Sequence, residues 1–137
     1  MLRTADAAGV CRVYMTGYTA TPIDRFGRAR KDIHKAALGG ELSVPWEHYR
    51  TISELIATLK ERGVRIVGVE QKDEAIDYKK LRVTGSTAFI FGNEVRGLSK
   101  SLLDQCDTVS SIPMRGTKES LNVSVAAGIF LFRVLNV

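Results

Sequence analysis

Two stretches of the chain carry residues whose types and spacing could do chemistry. The first, Phe91-Gly-Asn-Glu-Val-Arg-Gly-Leu-Ser99, follows a strand-like run and precedes a helical one, the place where open α/β sheets bind ligands. It comes close to the phosphate-cradling pattern Gly-x-x-x-x-Gly-Lys-Ser, yet Leu98 stands where the lysine is needed, so the charge that reaches the phosphates is missing. A nucleoside triphosphatase is thereby disfavoured. The dinucleotide fingerprint Gly-x-Gly-x-x-Gly occurs nowhere in the chain. Alone, the stretch reads equally well as a tight glycine turn before a helix capped by Ser99.

The second stretch is Ser111-Ile-Pro-Met-Arg-Gly-Thr-Lys-Glu-Ser-Leu-Asn-Val-Ser124, a polar loop that runs into a helix apolar almost all round. Gly116 permits close backbone approach, Ile112, Met114 and Leu121 offer apolar contact, and a helix start presents free amide donors. Such a loop can wrap a flat, hydrogen-bonding ligand. A third group is basic: Arg25, Arg28, Arg30, Lys31 and Lys35, with Phe26 among them, fall between Pro22 and Lys35 against only Asp24 and Asp32. These are the residues for phosphate contact if the partner is a nucleic acid, and otherwise a solvated charged loop. His34 and His48 have no partner at metal-ligand spacing, and Cys11 and Cys106 lack a CxxC arrangement. No metal is expected, and both cysteines, in segments that read as buried or half-buried, are expected to be reduced thiols of a cytoplasmic protein.

The elements that must position these groups follow from periodicity. Leu2 to Val10 reads as a short Ala-rich helix, and Cys11 to Met15 alternates like a strand. From Gly17 to Gly40 the pattern breaks up, and Ser43 to Tyr49 is extended around Pro45. Thr51 and Glu54 form a capping box, after which Ile52, Leu55, Ile56 and Leu59 recur at helical spacing until Gly63. Val64 to Val69 is a β-branched strand, Glu70 to Gly85 is polar, and Thr87 to Phe91 is a second strand. A short helix from Ser99 to about Gln105, a strand from Thr108 to Ile112 and a closing helix from about Leu121 complete the chain. Strand, helix and strand in this order predict an α/β fold with a parallel sheet.

At 137 residues with 45% hydrophobic residues, the chain fits one domain spanning 1–137. Its 20 Lys+Arg against 15 Asp+Glu, a net charge of +5, permit an anionic partner without demanding one. The start lacks the apolar core of a signal peptide, and the run from Leu121 to Val137 contains Asn122, Ser124 and Arg133 and is too short for a membrane span. The apolar surface of the closing helix predicts association as a homodimer.

The two glycine-bearing stretches together resemble the SpoU/TrmH branch of the SPOUT RNA methyltransferases, whose members carry Gly-Asn-Glu-x-x-Gly-Leu-Ser and Ile-Pro-Met-x-Gly-x-x-x-Ser-Leu-Asn-Val-Ser motifs. The resemblance implies an α/β knot closed by a C-terminal trefoil, S-adenosylmethionine as cofactor, and methyl transfer to a ribose 2′-hydroxyl of tRNA or rRNA. It implies that Gly92, Ile112 and Leu121 bind the cofactor through main-chain groups with Asn93, Gly97 and Met114 beside them, and that Glu94, Ser120 and Asn122 build the catalytic pocket. Arg3-Thr-Ala matches the end of the family's first motif, whose arginine is proposed to activate the 2′-hydroxyl, and Arg3 inherits that role. Met1 and Leu2 occupy the place where the motif's strand and Asn-x-Gly-Ala would stand, so an N-terminally incomplete domain is expected. The alternative is a knot protein that binds RNA or cofactor without methylating.

Overall fold

The structure, a computed structural model, describes residues 1–93 and 95–137. The chain divides into two compact units, Met1–Leu55 and Ile56–Val137.

In the first unit, helix α1 (Leu2–Ala7) buries Leu2 and Ala5 and ends at Ala8, after which Gly9 turns with φ +69°. Strand β1 (Val13–Thr16) follows. Cys11 lies outside it and is exposed, contrary to the half-buried strand position expected, because the strand begins two residues later. Two short helices fall at the end of the stretch where periodicity showed only a break. They are α2 (Lys31–Ala37) and α3 (Gly40–Ser43), joined through Leu38 and Gly39 at φ 49° and 91°. A Cβ on Gly40 would lie 3.0 Å from the backbone of Arg3, so α3 packs against α1 backbone to backbone, which glycine permits. Strand β2 (Trp46–Tyr49) then pairs in parallel with β1, Val13 opposite Trp46 and Thr16 opposite Tyr49. Leu2, Met15 and Ala37 form the core of this unit, with Val13, Ile33 and Trp46 packed on it.

Helix α4 (Ile52–Glu61) runs across the boundary between the units. Its expected cap is present: the Thr51 hydroxyl accepts from the Glu54 N–H at 3.3 Å.

The second unit is built on a parallel sheet of strands β3 (Arg65–Val69), β4 (Ile76–Asp77), β5 (Thr87–Phe91) and β6 (Thr108–Ser111) in the order β4-β6-β3-β5. β3 is central, which is why its Ile66, Val67 and Gly68 are buried and its sequence is a continuous apolar run. Between β5 and β6 lies helix α5 (Lys100–Gln105), capped by the Ser99 hydroxyl, which accepts from the Leu102 N–H. Helix α6 (Val123–Leu135) closes the chain. Its Phe130 is fully buried and packs with Tyr78, Phe89 and Phe91, ring centres 6.1, 5.4 and 5.9 Å away, in a core that includes Val67, Leu81 and Ile112. Strand β4 lies in the stretch read as merely polar. Besides its parallel pairing with β6, it is held by hydrogen bonds from the Ser110 hydroxyl to the Ile76 carbonyl at 2.8 Å and from the Tyr78 N–H to the Ser111 carbonyl at 2.9 Å.

Candidate cofactor and RNA sites

The carboxyl ends of β3, β5 and β6 come to one edge of the second unit, and the segments leaving them line a cavity of about 460 Å³. That volume lies in the usual range for small-molecule sites. Of the residues singled out in the sequence, Gly92, Asn93, Gly97, Ile112, Ser120 and Leu121 line it. Met114 is half-buried and Asn122 exposed, and neither is part of the lining. Asn122 is instead the N-cap of α6, its side-chain oxygen accepting from the Ser124 N–H at 2.9 Å. Glu94 lies outside the described residues.

The loop after β5 is shaped by its own polar groups. The Asn93 side-chain oxygen accepts from the N–H groups of Val95 and Arg96 at 3.0 and 2.7 Å, and its carbonyl accepts from the Gly97 N–H at 3.0 Å. Gly97 sits at φ +59°, where glycine is preferred. A Cβ on Gly92 would run into the Gly97 backbone, and one on Gly97 would run into the Glu70 carboxylate, so the first glycine is demanded by the close approach of the two ends of the loop and the second by Glu70 and its own φ.

Among the lining residues that escaped sequence reasoning, Glu70 and Gln71 fasten the site. Glu70, just after β3, accepts from the Leu98 N–H at 2.7 Å and the Gln71 N–H at 2.8 Å, tying the Gly92–Ser99 loop to the central strand. Gln71 donates its side-chain amide to the Ile112 carbonyl at 2.7 Å, joining the end of β3 to the end of β6. Their only signal in the sequence was position: the first polar residues after a buried strand, at the edge where α/β sheets bind ligands. The lining carries both signs of charge, Glu70 and Glu119 against Lys72 and Arg96, and Leu103, Val123 and Ala126 add apolar surface.

A zwitterionic, partly aromatic ligand suits this lining, and the residues fit S-adenosylmethionine by three criteria. Glycine backbones leave room for main-chain contact, aliphatic side chains match the faces of an adenine, and carboxylates are near for its cationic groups.

The remaining candidates belong to the first unit. Arg3 is on the exposed side of α1. In the basic loop Asp24 accepts from the N–H groups of Phe26 and Arg28 at 2.8 and 3.0 Å and pairs with the Arg28 guanidinium at 2.9 Å. The Arg28 N–H, then that of Phe26, then the guanidinium hold its carboxyl below the usual range. Arg30 pairs with Asp32 at 2.9 Å, while Arg25, Lys31 and Lys35 have no ion-pair partner among the described residues. His34 pairs with Glu41, and His48 meets the Gly17 carbonyl at 2.9 Å. Among the described residues no group of His, Cys, Asp or Glu could hold a metal ion, and no helix is long and apolar enough to cross a membrane.

The profile of the SpoU rRNA Methylase family matches residues 1–132. A 23S rRNA (guanosine-2′-O-)-methyltransferase, RlmB, of Neisseria meningitidis is 36% identical over 130 residues, 95% of this chain and 49% of that protein. Its namesake from Escherichia coli is 36% identical over 134 residues, 98% of this chain and 52% of that protein. The chain thus spans about half the length of the curated relatives it matches. Among solved structures, the A. aeolicus TrmH/SpoU tRNA modifying enzyme superposes with a TM-score of 0.82 at 29% identity, covering 98% of this chain and 65% of that one. The SpoU methyltransferase AviRb from Streptomyces viridochromogenes, solved with its cofactor AdoMet, does so with a TM-score of 0.85 at 26% identity, covering 98% and 53%. With a profile match across nearly its whole length, the chain belongs to the SpoU rRNA Methylase family.

Proposed function

We propose that this chain is the methyl-transferring domain of an S-adenosylmethionine-dependent RNA 2′-O-ribose methyltransferase, acting in the cytoplasm on rRNA or tRNA. The observation that carries the reading is the convergence of Gly92, Gly97, Ile112, Ser120 and Leu121 on one cavity at the carboxyl edge of the parallel sheet. They come from two separate loops, one leaving β5 and one leaving β6, which flank β3 in the sheet.

When bound, the cofactor would supply an electrophilic methyl group on a sulfonium, whose methyl–sulfur bond would break to leave a neutral thioether while the ribose hydroxyl gave its proton to solvent. The chain's part is placement: in-line transfer depends on holding donor and acceptor in register more than on strong acid–base help. Gly92 and Gly97 keep the loop backbone close to the ligand, while Glu70 and Gln71 fix the two segments that grip it. Ser120 is the polar side chain of the lining nearest in sequence to the α6 start, and it is assigned to orient the acceptor. Arg3 is assigned to stabilise charge developing on the acceptor oxygen, a role for a guanidinium that stays protonated. Asn122 acts through its cap, holding the first turn of α6 and thus Leu121 and Val123.

Two further features belong to this reading. The chain closes as a trefoil knot, supported by the insertion of β6 between β3 and β4 and by the shared cavity of the segments after β5 and β6. It acts as a homodimer, supported by Val125, Ile129 and Phe132, exposed apolar residues at helical spacing on the side of α6 away from buried Phe130.

Calorimetric titration with S-adenosylmethionine is the test, followed by transfer of labelled methyl to rRNA and tRNA transcripts by the wild type and Arg3→Ala. Binding together with transfer that Arg3→Ala lowers is the expected result. A folded protein that binds no cofactor overturns the reading; binding without transfer to any RNA leaves a cofactor-binding protein in its place.

A further inference from the structure

The loop between β1 and α2 is a built structure. Ile23 bridges antiparallel to Ala29, the Asp24 N–H donates to the Arg28 carbonyl at 2.8 Å, and Gly27 turns the tip at φ +76°. The Asp24 carboxylate fastens the tip from inside through the Phe26 and Arg28 N–H groups.

What the tip presents is unusual for a solvated loop. The Phe26 ring is 67% exposed, with the Arg25 and Arg28 guanidinium carbons 4.8 and 5.1 Å from its centre. Cation–π attraction holds the two guanidinium groups near the ring. The same loop, with Trp46 and His48 of β2, lines an open groove of about 820 Å³ that lies entirely in the first unit. Arg28 and Arg30 are offset by Asp24 and Asp32, which leaves Arg25 as the lining cation without an acidic partner among the described residues.

We propose that this groove seats one unpaired nucleotide of RNA, its base stacked on Phe26 and a flanking phosphate against Arg25. The inference rests on the RNA methyltransferase reading and narrows its substrate to single-stranded or loop RNA. An exposed ring flanked by guanidinium groups matches the π-face of a base, which stacks on aromatic side chains and arginine alike. Duplex RNA keeps its bases stacked on one another and would gain nothing from the ring. An acidic peptide could meet the same guanidiniums but has no flat face to stack on the ring.

Binding of a single-stranded RNA oligonucleotide carrying one 2-aminopurine, and of a duplex of the same length, tests this with the full chain and no cofactor. The single strand should bind with quenched 2-aminopurine fluorescence. Phe26→Ala should weaken single-strand binding about ten-fold and abolish the quench while leaving duplex binding unchanged. Phe26→Trp should restore both, and Arg25→Gln should flatten the salt dependence by about one unit of slope. Because Phe26 is exposed, unfolding is not expected to intervene, and retained duplex binding serves as the check. Single-strand binding unaffected by Phe26→Ala, loss of both forms together, or a wild type that binds neither form would overturn the proposal. Cofactor titration and methyl transfer are read separately. A chain that methylates RNA with Phe26→Ala as well as without it loses the stacking site and keeps the enzyme.

Discussion

The cavity of the second unit and the groove of the first are built in opposite ways. The cavity of the second unit is assembled from strand ends distant in sequence, and its fastenings are long-range: Glu70 holds Leu98, and Gln71 holds Ile112. The groove of the first unit is shaped by a loop that fastens itself, Asp24 reaching residues two and four positions on. A site made of backbone and buried strands is rigid but intolerant of added atoms. A site on a self-tied loop accepts substitution and moves more easily. The difference fits the proposed division of labour between one invariant small cofactor and a bulky, variable RNA.

The sharpest way to break this comparison is Gly92→Ala. Its Cβ would collide with the Gly97 backbone, and backbone gives way less readily than a side chain. Overpacking of this kind costs about 2 kcal/mol, and because the loop itself is displaced, cofactor affinity should fall on the order of a hundredfold. Calorimetry reads the affinity and thermal melting the stability. RNA binding at the Phe26 groove should survive. If both sites fail together in a protein that is still folded, they are not independent.

Glu70→Ala should come next. It removes the acceptor of the Leu98 N–H, and Leu98 is buried; an orphaned buried donor costs about 1–3 kcal/mol. Glu70→Gln keeps one side-chain carbonyl and should lose less. The expected signature is a lower melting temperature and weaker cofactor binding, with hydrogen exchange faster at Leu98 than in β3.

How far these sites could be read in the sequence follows from the same contrast. Thr87 to Phe91, the capped helix after Thr51 and the Ser99 cap are all present, because each is specified by local periodicity and by a side chain meeting its own backbone. The glycines and Ile112 could be placed by motif. Glu70 and Gln71 could not, since a carboxylate and an amide at the start of a polar stretch say nothing about partners 28 and 41 residues away. Strand β4 was hidden for a like reason: two residues carry no period, and their partners, Ser110 and Ser111, lie 34 residues on. In the first unit, α2 was obscured by its charged flanks, though Ile33 and Ala37 do face the core.

Two carboxylates of the same chemistry sharpen the contrast through pH. Asp107 accepts from the Ile66 N–H at 2.7 Å, across 41 residues, and pairs with Lys60 at 3.3 Å. The Ile66 N–H first, then Lys60, hold its carboxyl below the usual range. A carboxyl lowered on folding contributes stability that is fully present above the unfolded value of about 3.9 and is lost as pH falls through the folded value. Stability of the wild type should therefore decline more steeply below pH ~4 than that of Asp107→Asn, which retains an acceptor but no charge. Urea unfolding at a series of acid pH values makes the comparison, and equal slopes would remove Asp107 from the acid response.

Asp24 should give the smallest change in stability and a more telling one in binding. Its carboxyl is also lowered, chiefly by the Arg28 N–H, but it orders only its own loop, so Asp24→Ala should leave the melting temperature unchanged. For RNA two effects oppose. Removing the carboxylate raises the local positive charge, which favours phosphate binding, and frees Phe26 and Arg28 from the geometry that displays the ring. Asp24→Asn separates them, since its carbonyl can still accept from the Phe26 and Arg28 N–H groups while the charge is gone. If loop order governs recognition, Asp24→Asn binds single-stranded RNA at least as well as the wild type and Asp24→Ala binds several-fold more weakly. If charge governs, both bind more tightly, the groove becomes a simple cationic patch, and the contrast between a built cavity and a built loop dissolves.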